Sequence, residues 1–123
     1  MKLHVSGPGN RNAITGYGDG YVMVNGQRHE SSLIVLPDRV LPWDVTGFDA
    51  LSPEHFSSLK DLRAEILLLG TGPRQRFPHP RLTAPLAAAG IGVEVMDLKA
   101  ACRTYNILVA EGRRVVAALM VER

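Results

Sequence analysis

Gly90-Ile91-Gly92-Val93-Glu94-Val95-Met96-Asp97 runs into Ala100-Ala101-Cys102-Arg103-Thr104-Tyr105-Asn106 and then Glu111-Gly112-Arg113-Arg114-Val115, and this stretch decides the fold. Gly90 stops whatever precedes it, and Ile91 to Val95 reads as a strand. Asp97 stands where a helix N-cap is needed, because its carboxylate can accept one of the unpaired N–H groups of the first turn. Leu98, Ala101, Cys102, Tyr105, Leu108 and Val109 then recur on one helical face, with Lys99, Arg103 and Asn106 on another. Gly112 supplies the left-handed stop. Residues 114–121 are apolar after the arginine, the pattern of a strand buried on both faces.

Working outward, Ala64-Glu65-Ile66-Leu67-Leu68-Leu69 is too short for a helix and ends in Gly70-Thr71-Gly72, so it reads as a central strand. A helix is expected over about 80–89, with Pro85 either kinking it or delaying its start to a Thr83 cap. Ser52, Pro53 and Glu54 open a shorter helix at 53–60, and Leu51 and Phe56 are spaced as a hydrophobic staple. Strand, helix, strand, helix, strand over 64–121 defines an α/β core. The N-terminal half has another rhythm. Residues 13–17, 21–24, 32–36 and 39–44 alternate with Gly18-Asp19-Gly20, Asn25-Gly26 and Pro37-Asp38, which predicts a β-meander whose last strand, carrying Pro42, is an edge.

The chain has 123 residues, 46% of them hydrophobic and 21% charged, and a mean hydropathy near zero. That fits one domain over residues 1–123, with residues 1–11 expected as a flexible N-terminus. A net charge of +2 gives no field for nucleic acid. No apolar run approaches the ~20 residues of a bilayer span, so direct membrane insertion is not expected. One cysteine, Cys102, precludes an intrachain disulfide, and Met1 to Pro8 lacks the apolar run of a secretory leader. A reducing, cytoplasmic setting is the expectation.

Few motifs carry chemistry. Gly70-Thr71-Gly72 follows a strand, but Gln75 stands where a dinucleotide fingerprint needs its third glycine, and no Gly-Lys-Ser/Thr exists for a phosphate loop. His4, His29, His55 and His79 match no metal spacing, so neither metal nor cofactor is expected. No nucleophile elbow or paired-carboxylate motif occurs, and a non-enzymatic role is preferred. The candidate ligand- or partner-binding residues are Gly70, Thr71, Gly72, Met96 and Asp97, at the carboxyl ends of strands where open α/β sheets bind ligands, with Arg103, Thr104 and Asn106 on the following helix. Asp97 counts against an anion there, since a capping carboxylate competes for the same donors. Arg103 has a structural alternative, pairing with Glu94 or Glu111. Arg74, Arg76, His79 and Arg81 read as a solvated loop, Cys102 as a buried inert thiol, and Trp43 as core or edge cover.

Gly70-Thr71-Gly72, Gly90 to Asp97, Ala101 to Leu108 and Glu111 to Leu119 together resemble the domain-of-unknown-function family that contains mitochondrial NADH:ubiquinone oxidoreductase complex assembly factor three and the adipogenesis-associated human protein. The resemblance implies a three-layer α/β/α domain with a mixed central sheet, and a last strand antiparallel to its neighbours. It carries over no catalytic residues. With no targeting extension ahead of the shared region, a bacterial-type member is expected. Three functions then compete: a binding or assembly-factor domain with a protein partner, a small-molecule binder or enzyme using the strand-end crevice for an anionic ligand, and a homodimer formed through a sheet edge near Trp43.

Overall fold

Two turns fold residues 14–29 into a small sheet. A computed structural model describes residues 11–122, so the expectations for the extreme N-terminus and for His4 lie outside the described residues. Strands β1 (Ile14–Gly18), β2 (Tyr21–Val24) and β3 (Gln27–His29) pair antiparallel in that order. Asn25 and Gly26 have φ of 52° and 81°, the left-handed pair a two-residue hairpin turn requires.

The second sheet has five strands, β4 (Leu33–Leu36), β5 (Arg39–Pro42), β6 (Ile66–Gly70), β7 (Gly92–Met96) and β8 (Val115–Leu119), in the order β5-β4-β8-β6-β7. β8 runs parallel to β6 and antiparallel to β4, so the expected last strand antiparallel to its neighbours is corrected on one side. The sheet is mixed because β4 enters from the meander half by antiparallel pairing, while β6, β7 and β8 are joined through helices. β5 is an edge strand, and its Pro42 removes no ladder bond from the interior.

Alternation along the strands sorts the core into two layers. Leu33, Val35, Leu68, Val115, Ala117 and Leu119 face α3 (Leu98–Ala110), whose Ala101, Cys102, Tyr105 and Val109 are buried against them together with Ile14, Val22 and Val24 of the meander. Ile34, Leu36, Leu67, Leu69, Val116 and Ala118 face the other way, onto Phe56 of α1 (Pro53–Ser57) and Leu86 of α2 (Pro80–Ala88). All five residues of β8 are buried, and each fully buried leucine of β6 contributes roughly 2 kcal/mol. Three layers result.

The helices differ from expectation at their ends. α1 is a single α-helical stretch, and a 3-10 turn at Lys60–Leu62 follows it; Arg63 closes that turn with φ 59°. Ser52 donates its N–H to His55 Nδ1 at 3.0 Å, so a histidine holds the place that glutamate takes in the usual capping box. α2 starts at Pro80 with His79, not Thr83, as its cap: Nδ1 accepts the Arg81 N–H at 3.1 Å, and the helix runs through Pro85. Trp43 is core. It lies 5% exposed, edge-on to Phe56, and its Nε1 donates to the His55 carbonyl at 3.3 Å.

Candidate functional site

The carboxyl ends of the three parallel strands are level, since Gly70 sits opposite Met96 on one side and Leu119 on the other. A Cβ on Gly70 would stand 3.1 Å from both the Ala101 Cβ and a Leu119 methyl, so glycine is what lets the start of α3 settle on the strand end. Gly72, at φ 92°, then turns the chain away. Thr71 between them is fully buried. Its N–H donates to the Met96 carbonyl at 2.9 Å, and its hydroxyl donates to the Arg74 carbonyl at 2.7 Å while accepting the Arg76 N–H at 3.1 Å.

Donors at the N-terminus of α3 are also occupied. Asp97 Oδ1 accepts the Ala100 N–H at 2.8 Å, and Leu98 donates its N–H to the Gly72 carbonyl at 2.8 Å. What remains of the crevice is a cavity of about 100 Å³ between the Gly18–Gly20 turn, Gly72, Pro73, Leu98, Lys99 and Glu122. The structure thus brings Gly70, Thr71, Gly72, Met96 and Asp97 together and fills the space among them with internal hydrogen bonds.

The arginine loop is not uniformly solvated. Arg76 turns inward: Nη2 lies 2.9 and 3.0 Å from the two Glu122 carboxylate oxygens and donates to the Thr71 carbonyl at 3.0 Å. Its guanidinium carbon sits 4.6 Å from the centre of the Phe48 ring, and Glu122 also accepts the Phe48 N–H at 3.0 Å. This bracket joins the strand-end loop to the chain end and to the turn at Phe48–Ala50. Arg74, His79 and Arg81 are exposed, as expected. Glu122 and Phe48 escaped the sequence reading. An acid immediately after an apolar strand was the available signal for Glu122; nothing local marks Phe48.

Arg103, Thr104 and Asn106 diverge around α3. Arg103 is exposed and donates from Nη1 to the Tyr17 hydroxyl at 3.3 Å, so β1 supplies the partner that Glu94 or Glu111 was expected to provide. Thr104 is half-buried beside it. Asn106 faces the meander and bonds both backbone groups of Ile14. Lys99, Arg103 and Ile107 follow at intervals of four along the outward face, and Ile107 is 59% exposed.

Buried titratable groups lie inside α3. Burial pushes the Cys102 thiol up to about 12, and burial followed by the field of Asp38 raises the Tyr105 phenol, whose hydroxyl donates to the Asn12 carbonyl at 3.1 Å. At the opposite end of the sheet, the Arg114 N–H holds the Glu65 carboxyl below its ordinary range, with Arg113 adding to the effect. Among the described residues no cluster of three His, Cys, Asp or Glu is arranged to hold a metal ion.

A mixed five-stranded sheet between helices, joined by an antiparallel meander, defines a small α/β domain whose strand-end crevice between Gly72 and Leu98 is largely filled by its own described residues. The chain belongs to the family described as protein of unknown function, DUF498/DUF598, whose sequence model matches residues 14–120. It is 36% identical over 109 residues to the bovine (Bos taurus) NADH dehydrogenase [ubiquinone] 1 alpha subcomplex assembly factor 3, covering 87% of this chain and 59% of that protein. A crystal structure of a Bordetella parapertussis protein superposes with a TM-score of 0.86 at 44% identity, covering 91% of this chain and 97% of that one. An outer membrane protein from Bartonella henselae gives a TM-score of 0.77 at 30% identity, covering 98% of this chain and 100% of that one. Among the described residues no helix is long and apolar enough to cross a membrane.

Proposed function

We propose that this chain is a non-enzymatic, assembly-factor-like binding domain that holds a protein subunit of a respiratory or other multi-subunit complex against the outer face of α3. The observation that carries it is the stripe of Lys99, Arg103 and Ile107, two cations and an exposed branched aliphatic on one rigid helix, with Arg103 steadied by Tyr17. Arginine is enriched at protein interfaces, and an aliphatic with 59% of its surface in water has apolar area to lose on binding. The bovine relative's name, an assembly factor for NADH dehydrogenase, agrees with such a role.

Small-molecule binding at the strand ends has less behind it. About 100 Å³ of space falls below the ~300 Å³ at which ligand pockets begin, and two of the helix donors that would meet an anion, the Leu98 and Ala100 N–H groups, are already used. A homodimer through the β5 edge loses its apolar anchor, because Trp43 is buried. The single thiol, Cys102, is buried and suits the reducing cytoplasm.

The test is affinity purification from detergent-solubilised membranes of the native cells, with wild type and Arg103→Glu in parallel. Subunits of one complex should be enriched by wild type and lost with Arg103→Glu, while the thermal melts of the two proteins coincide. Equal recovery by both removes the α3 face as the binding surface.

A further inference from the structure

Residues 66–93 contain Arg74, Arg76, His79 and Arg81 and no acidic residue. Arg76 is spent inside the fold on Glu122, which leaves Arg74 in the β6–α2 loop and Arg81 in the first turn of α2 as the surface cations of this segment. Among the described residues no carboxylate lies within ion-pair distance of either. Between them Phe77 is 71% exposed, the most exposed large hydrophobic side chain of the described residues.

The ring is presented, not merely loose. The Thr71 hydroxyl accepts the adjoining Arg76 N–H, Gln75 Nε2 donates to the Val95 carbonyl at 2.9 Å, and Pro78 and Pro80 restrict the backbone on the other side. Beyond Arg81 the exposed residues of α2 are Ala84, Ala87 and Ala88, which share one helical face at spacings of three and four, so the helix that follows the ring presents a face that is apolar, low in relief and uncharged.

We propose that the β6–α2 loop and the outer face of α2 dock on a bilayer surface bearing anionic lipids, with Phe77 entering the headgroup region and Arg74 and Arg81 meeting lipid phosphates. Charge selects an anionic partner, and relief selects a bilayer. Alanine is depleted at protein interfaces, and beyond Arg81 the exposed residues of α2 are all alanines, which offer a protein partner neither side-chain hydrogen bonds nor anchors. A fluid headgroup layer closes around a single aromatic without a preformed pocket. A phenylalanine ring buries at the boundary of headgroups and acyl chains, and an arginine beside it extends its guanidinium to the phosphates. Anionic lipid attracts each nearby cation.

The experiment is co-sedimentation of the purified chain, at low ionic strength, with phosphatidylcholine vesicles made with and without phosphatidylglycerol. Wild type should sediment with the phosphatidylglycerol vesicles only. Phe77→Ser should weaken that binding by about tenfold, and the double change Arg74→Glu/Arg81→Glu by about thirtyfold or more. Arg39→Glu, a charge reversal on the distant exposed end of β5, should not. Equal binding to both vesicle types, or full binding by the Phe77 and arginine variants, overturns the proposal. Binding of polyglutamate through Arg74 and Arg81 without binding to either vesicle overturns it in favour of an acidic protein. Partner capture through Arg103 is a separate readout, so each surface can fail without the other.

Discussion

The side-chain amide of Asn106 is bonded to both backbone groups of Ile14: Oδ1 accepts the Ile14 N–H at 2.9 Å and Nδ2 donates to the Ile14 carbonyl at 2.8 Å. An asparagine on α3 thereby continues the outer side of β1 as a neighbouring strand would, and ties together segments 92 residues apart. Asn106→Ala leaves a donor and an acceptor half-buried without their partner, at a cost of about 2 kcal/mol. Asn106→Asp keeps the acceptor for the Ile14 N–H but sets a carboxylate against the Ile14 carbonyl, so it should not recover that loss. Urea denaturation gives the stabilities, and amide exchange should accelerate first in β1 and β2. A stability equal to wild type in both variants would show that the meander docks without this tie.

Arg76 and Glu122 make the corresponding connection at the strand ends, with about a quarter of each side chain exposed. Arg76→Ala strands a partly buried carboxylate and also removes the guanidinium from the Phe48 ring, so the loss should be about 2 kcal/mol. Glu122→Gln retains an acceptor for both Arg76 and the Phe48 N–H and should lose less. A double-mutant cycle between the two positions measures their coupling, expected near 1 kcal/mol at this exposure. A coupling of zero would make the bracket a surface pair with no structural role.

The elements most legible in the sequence were those whose signals are local. Asp97 and Gly112 bound α3 as its cap and stop, Asn25-Gly26 makes its hairpin turn, and the continuous apolar run of β8 is buried on both faces. Strand direction was not legible. A strand covered on both faces reads the same whether its neighbour runs parallel or antiparallel, and only the pairing of Leu33 with Leu119 and of Ile66 with Val115 distinguishes them. The site was partly legible. Gly70-Thr71-Gly72 and Met96-Asp97 do meet, because both follow adjacent parallel strands. Their saturation was hidden, since it depends on Arg74 and Arg76 folding back within a loop that looks solvated by composition. Tyr17 as the partner of Arg103 carries no local signal either, being 86 residues away.

Cys102 and Tyr105 make stability depend on alkaline pH, and the sign follows from proton counts. The unfolded thiol ionises near 9.0 and the folded one only at about 12, so between those values the unfolded chain binds fewer protons than the native one. Stability therefore falls as pH rises through that window, by about 1.4 kcal/mol per pH unit for one group, and is unaffected by it below. Tyr105 acts in the same direction from about pH 10, because burial also raises its phenol. Cys102→Ala deletes one of the two ionisations, so its stability profile above pH 9 should be measurably shallower than wild type even though a small cavity lowers the whole curve. Urea melts at half-unit intervals of pH compare the slopes directly. Parallel slopes would mean that the native thiol ionises as readily as the unfolded one, and a native Cys102 that reacts quickly with a disulfide reagent near neutral pH would say the same by an independent route.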